Sequence, residues 1–265
     1  MNHLLRSHAP ISDAGWELLD SEVKDRLLPA LGARRLVDFA GPRGWEHSAT
    51  NLGRTTRLSS SPGDGVAAQQ RRVLPVVELR ADFEASRSEL RDADRGAADA
   101  DLAALDVAAR QIAVAENVAV CHGWTDAFTG MTEASPHEPL PLAAPETYPA
   151  QVAAGVDKLL AGGVAGPYAL ALGAEPYRDV IGMTERGGFP LREHLGAIIE
   201  GPIVYTPGID GAVLASLRGG DFLFDCGHDI AIGYEAHDEQ VVRLYLQESF
   251  TFRVATPEAA VALSR

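Results

Sequence analysis

The feature that most constrains this chain is one long helix. Residues 101–120 (DLAALDVAARQIAVAENVAV) place Leu102, Leu105, Ala109, Ile112 and Ala113 on a single stripe, with Asp106, Arg110 and Gln111 elsewhere. Such a segment predicts a mostly buried spine around which the remaining elements are arranged. A second helix is predicted from Ser12-Asp13, a cap ahead of Trp16, Leu18, Leu19, Val23, Leu27 and Leu28, ending near Pro29 or Gly32. Residues 147–160 and 191–200 give two more, each closed by glycine.

Strands are predicted at 69–83, with Pro75 marking an edge or bend, and at 168–172, 203–205, 212–217, 222–225, 241–246 and 249–254. Gly219-Gly220-Asp221 reads as a hairpin turn. SSSPGDG at 59–65 ahead of the first strand suggests a long hairpin arm, and the Pro-rich stretch 135–149 suggests a loop or boundary. Helices and strands mix without regular alternation, which predicts an α+β fold.

A net charge of −14 argues against a nucleic-acid partner, whose affinity rests on Lys and Arg at phosphates. Lys24 and Lys158 are the lysines; the other positive charges are Arg, the side chain suited to planar interface pairs. No membrane span is expected, because glycines and Pro167 interrupt the longest uncharged stretch, 159–174. The opening residues lack an apolar signal region, so a cytoplasmic protein is expected, with Cys121 and Cys226 as reduced, buried thiols and a single disulfide as the other reading.

The common catalytic signatures, GxSxG, GxxxxGK[ST], HExxH and GxGxxG, do not occur. Gly162, Gly163 and Gly166 follow a helix and precede a strand, the reverse of a phosphate cradle. His228, Asp229, Glu235, His237, Asp238 and Glu239 are metal-ligand types without a metal motif's fixed spacing, and read as a solvated loop. His194 has no partner legible in the sequence. The carboxylates of 84–101 alternate with Arg87, Arg91 and Arg95, a pattern of surface ion pairing. No catalytic residue and no metal ligand is assigned.

Several segments, in order and over nearly the whole length, are similar to the encapsulin family. They are LLRSHAPISDAGWELLD (4–20), GARRLVDFAGPRGWE (32–46), ELRDADRG (89–96), GPYALALG (166–173), GGFPLREHL (187–195), RGGDFLFDCGHDIAIGYEAHD (218–238) and VRLYLQESFTFRVATPEAAVAL (242–263). The resemblance implies the phage HK97-type major capsid fold. Its parts would be an N-terminal helix and first strand (1–45), an extended arm (46–72), a peripheral domain with the spine (73–131), an axial domain (132–218) and C-terminal peripheral strands (219–265).

It implies a shell subunit, not an enzyme, that assembles with copies of itself into an icosahedral cage, about sixty in the smallest form. The cage would enclose a cargo protein, a dye-decolourising peroxidase or a ferritin-like protein, with roles in oxidative stress or iron storage. The cargo's C-terminal targeting peptide would dock on positions matching Leu27, Leu31, Arg34, Val37, Asp38, Asp229 and Ile230; Leu27, Leu31 and Val37 could equally be plain core. Gly182, Met183, Thr184, Glu185, Arg186, Gly187 and Gly188 correspond to the loop lining the five-fold pore in relatives, with an ordinary surface turn as the other reading. Some relatives hold a flavin on a Trp where Ser88 stands here, so no flavin and no other cofactor is implied. A phage or prophage capsid protein is the first rival reading, and a protease or bacteriocin the second.

Overall fold

A computed structural model describes residues 3–185 and 187–264. After a short 3-10 turn, the chain forms α1 (Asp13–Leu27), β1 (Asp38–Ala40), β2 (Ala49–Arg57), β3 (Gln69–Pro75), β4 (Val77–Ser86), α2 (Arg87–Asp94) and α3 (Ala103–His122). There follow α4 (Met131–Ala134), β5 (Leu140–Pro141), α5 (Tyr148–Ala161), β6 (Tyr168–Leu172), α6 (Ala174–Gly182) and α7 (Leu191–Ile199). The chain closes with β7 (Ile203–Tyr205), β8 (Ala212–Ser216), β9 (Phe222–His237), β10 (Val241–Val254) and β11 (Ala260–Ser264). The α+β class expected from the pattern is the one observed.

Two sheets and an arm organise these elements. One sheet has the order β1-β9-β10-β4, the other β5-β11-β8-β6-β7, and β2 pairs only with β3. Each sheet backs a hydrophobic cluster, and α3 serves both. Its Leu105, Ala109, Ile112 and Ala113 pack with Leu19, Val23 and Leu27 of α1 and with β4, while Ala119, Val120 and Cys121 join the cluster of α5, β6, β8 and β11. This is the buried spine the apolar stripe predicts, apolar enough to bury on most sides.

Local signals set the element ends. Ser12 accepts the Gly15 amide at 3.0 Å and starts α1, and Gly163 at φ 74° stops the chain after α5. The 69–83 segment is broken at Val76, after Pro75, into β3 of the arm and β4 of the sheet. The β2–β3 ladder is the expected hairpin, and it leaves Leu58, Val66 and Val73 exposed.

Three expectations are corrected. The segments at 241–246 and 249–254 are one strand, β10, bulged around Gln247 and Ser249, so the polar interruption is a register shift and not a loop. Gly219-Gly220 is no hairpin turn: β8 and β9 lie in different sheets, and the glycines, at φ 86° and 82°, turn the chain between them. The acidic and histidine-rich stretch from His228 is not a solvated loop either; it is the body of β9 as far as His237, stapled to β10.

Candidate functional site

The chain leaving α1 is held against the rest of the molecule by two buried features. Gly32 lies where a Cβ would stand 2.4 Å from the Tyr205 carbonyl oxygen, so only glycine permits that approach. Asn117 of α3, fully buried, donates to the carbonyls of Ala30 at 2.8 Å and Pro207 at 3.0 Å and accepts the Ala33 amide at 2.9 Å. These contacts bring Leu31 and Arg34 round to face β9.

Arg34 reaches into a nest of carboxylates. Its Nε donates to Glu116 Oε2 at 2.8 Å, Nη1 to Asp229 Oδ1 at 2.8 Å, and Nη2 to Glu248 Oε2 at 3.0 Å. The side chains of Glu116 and Glu248 are 0% and 1% exposed, whereas that of Asp229 is 46% exposed. Burial alone would pull the guanidinium down, but Glu116, Glu248 and Asp229 outweigh it and hold Arg34 above its ordinary value. Burial, reinforced by the neighbouring Glu116 carboxylate, pushes Glu248 well above the usual carboxylate range despite Arg34. The nest thus seats one fixed cation, with Asp229 as the member open to solvent.

Above it is a pocket of about 370 Å³ lined by Val23, Leu27, Leu28 and Leu31 on the α1 side and by Asp229, Ile230 and Ile232 of β9 on the other, with Asp20, Lys24 and Arg34 at its edges. Five of the residues named from the sequence therefore meet at one place: Leu27, Leu31, Arg34, Asp229 and Ile230. Leu27 is buried core, Leu31 and Ile230 are half-exposed, and Leu28 is 76% exposed. Val37 and Asp38 lie elsewhere, in a separate small cleft with Leu217, Gly219 and Phe222. Val37 packs on the second core, and Asp38 Oδ2 accepts the Gly220 amide at 2.5 Å, holding the crossing between sheets. Glu116, Asn117 and Glu248 are not among the residues named from the sequence, although a polar Glu-Asn pair inside an apolar helix and a Gln-Glu-Ser run inside an apolar strand are visible signals of buried polar work.

The segment after α6 forms a closed turn. The Glu185 amide donates to the Phe189 carbonyl at 2.8 Å and the Gly188 amide to the Glu185 carbonyl at 2.9 Å, with Gly187 and Gly188 at φ 111° and 82°. Gly182 ends α6, and Met183, Thr184 and Glu185 line a cavity of about 560 Å³ with Glu146. The Glu185 carboxylate meets His194 Nδ1 on α7 at 2.9 Å, giving His194 the partner the sequence did not reveal. Arg186 lies outside the described residues.

The remaining candidates are dispersed. Asp229 serves Arg34, Glu235 accepts Arg80 Nη2 at 2.8 Å, His237 Nδ1 meets the Tyr234 hydroxyl at 2.6 Å, and Asp238 accepts the amides of Gln240 and Val241. His228 instead packs edge-on to His3, ring centroids 4.6 Å apart, beside Trp45. Ser88 stands in the first turn of α2, its hydroxyl 2.8 Å from that of Ser86. Cys121 and Cys226 are both free and buried, and burial pushes each thiol up to about 12.

A family model described as "Encapsulating protein for peroxidase" matches residues 1–251. The chain belongs to the encapsulin shell family. This encapsulin is 44% identical over 270 residues to the type 1 encapsulin shell protein of Rhodospirillum rubrum, covering 99% of the chain and 96% of that relative. In fold it is similar to a virus-like particle from Pyrococcus furiosus, with a TM-score of 0.65 at 19% identity over 94% of this chain and 99% of that one. It is also similar to the capsid of Myoviridae phage XM1, with a TM-score of 0.52 at 10% identity over 88% and 89%. At such identities the likeness is one of architecture, and it establishes the phage-capsid fold. Among the described residues no helix is long and apolar enough to cross a membrane.

Proposed function

We propose that this encapsulin is a non-enzymatic shell subunit, which assembles with copies of itself into a closed, capsid-like cage in the cytoplasm and retains cargo through a peptide docked in the α1–β9 pocket. The observation that carries the reading is the family match across residues 1–251, on a chain with the capsid fold. The arm supports it: a two-stranded sheet is marginal alone, and β2–β3 exposes Leu58, Val66 and Val73, which a neighbouring copy would cover. About sixty copies in the smallest icosahedral arrangement close such contacts without loose ends. The reading requires no cofactor.

The pocket has the character of an extended-peptide site. Aliphatic walls from α1 and β9 would take alternate side chains, while Asp229, open to solvent on its Arg34 anchor, would meet a backbone amide. The cargo class is proposed from the family's description, which names a peroxidase; a ferritin-like iron oxidase is the other candidate. The turn at Met183–Glu185 and Gly187–Gly188 is proposed as the pore lining.

Electron microscopy of the protein expressed alone should show uniform closed particles; a monomer or small oligomer at every concentration and salt would overturn the assembly claim. Docking is tested by Ile230→Asp, which puts a second carboxylate beside Asp229. Particles should still form, but the cargo that co-purifies from the native host should be lost from them. Undiminished cargo would remove the pocket from the account.

A further inference from the structure

Next to the docking pocket lies another, of about 350 Å³, that the docking residues leave unexplained. Its walls include Leu28 and Leu31, Arg35, Tyr177 of α6, Arg192 of α7 and Tyr205 of β7. Leu28 and Leu31 line both cavities, so the two form one groove around the end of α1.

The two halves differ in free charge. In the first, Arg34 is fully engaged by Glu116, Glu248 and Asp229, Asp20 is paired with Arg6 at 2.7 Å, and the one cation left over, Lys24, shares the lining with two carboxylates, Asp20 and Asp229. In the second, Arg35 and Arg192 are both exposed, and neither guanidinium has an ion-pair or hydrogen-bond partner among the described residues. Tyr177 and Tyr205, their rings 5.1 Å apart and half-buried, add two phenols to the same wall.

Resting on the docking reading above, we propose that this second pocket receives the terminal carboxylate of the docked peptide. The planar guanidinium fork matches a carboxylate, and the phenol hydroxyls supply further donors. The choice of a chain terminus, and with it the direction of the peptide, follows from charge. In the first pocket Lys24 is offset by Asp20 and Asp229, whereas the lining of the second has Arg35 and Arg192 and, among the described residues, no carboxylate. The peptide therefore runs with its upstream aliphatic residues in the first pocket and its last residue beside Arg35 and Arg192.

The test uses the assembled protein and a fluorescein-labelled peptide copying the terminal segment of the cargo that co-purifies from the host, made as the free acid and as the C-terminal amide. Two exposed charge-assisted contacts lead to an expectation that the acid binds about five- to tenfold more tightly than the amide by fluorescence polarisation. That difference should shrink at high salt. The Arg35→Gln/Arg192→Gln variant should erase it while leaving amide affinity unchanged, and Ile230→Asp should weaken both forms equally. Equal binding of acid and amide, or a difference that survives the double Arg variant, overturns the second pocket while docking stands. If Ile230→Asp weakens neither form, the docking reading fails, and this proposal with it.

Discussion

Replacing Arg34 with Ala should unsettle the whole subunit, not merely the pocket beside it. The side chain is only 16% exposed, and it is the cation set between Glu116 and Glu248, which are 0% and 1% exposed. Alanine removes the cation to which the nearly fully buried Glu116 and Glu248 carboxyls both bond. Removing one partner of a buried ion pair costs about 3–5 kcal/mol, because the charge left behind loses its compensation. At roughly 2–4 °C per kcal/mol for a chain of this size, the Tm should fall by about 6–20 °C. Calorimetry of wild type and variant at one matched protein concentration is the measurement, since self-association adds a concentration-dependent term to the Tm. A variant carrying Arg34→Met with Glu116→Gln and Glu248→Gln, which removes the charges together, should recover most of the loss. A single Arg34→Ala variant that unfolds within about 2 °C of wild type would refute the claim that these acids depend on Arg34, and so would a triple variant no more stable than the single one. Loss of cargo in Arg34→Ala would therefore not by itself demonstrate docking, which is why Ile230→Asp is the cleaner probe.

Glu248 binds its proton more tightly folded than unfolded, so its contribution is fully present below the ordinary carboxylate range, near about 4.3, and is lost as pH rises through its raised folded value. The denaturation midpoint of wild type should decline with rising pH over that window, and Glu248→Gln should flatten the decline; an unchanged slope would show that the acid does not titrate as described. Gly211 sits at φ 65°, with the Leu263 carbonyl oxygen only 2.1 Å from where a Cβ would lie. Gly211→Ala should thus cost at least about 2 kcal/mol in chemical denaturation, from left-handed strain plus displacement of β11. Cys121 and Cys226, buried and pushed up to about 12, should resist iodoacetamide at pH 8 in the folded protein and react once it is unfolded.

The spine, the arm and most of the second sheet were legible in the sequence because their signals are local. A helical stripe, a Pro at a bend and a glycine stop each report on a few neighbouring residues. What was misread has a common cause. His228 and Asp229 in β9, and Gln247 and Glu248 in β10, look like chain leaving a sheet, since polar residues in a strand are costly unless they find partners. Their partners come from far away: Arg34 lies 195 residues before Asp229 and 214 before Glu248. No window along the sequence contains both halves of such a pair.

The same limit explains why the residues named from the sequence as a docking site divided between two places in the fold. The α1 stripe predicts equally well that Leu27 is core and that Leu28 and Leu31 are, because periodicity tells which residues share a face and not where the covering element stops. In the folded chain α3 and β4 cover the helix as far as Leu27, and the turn fixed by Gly32 and Asn117 carries Leu31 and Arg34 past that edge. The pocket exists because the apolar face of α1 outruns the core that covers it. A mutation that shortened this overhang, by filling the space beneath Leu28 and Leu31, would remove the pocket.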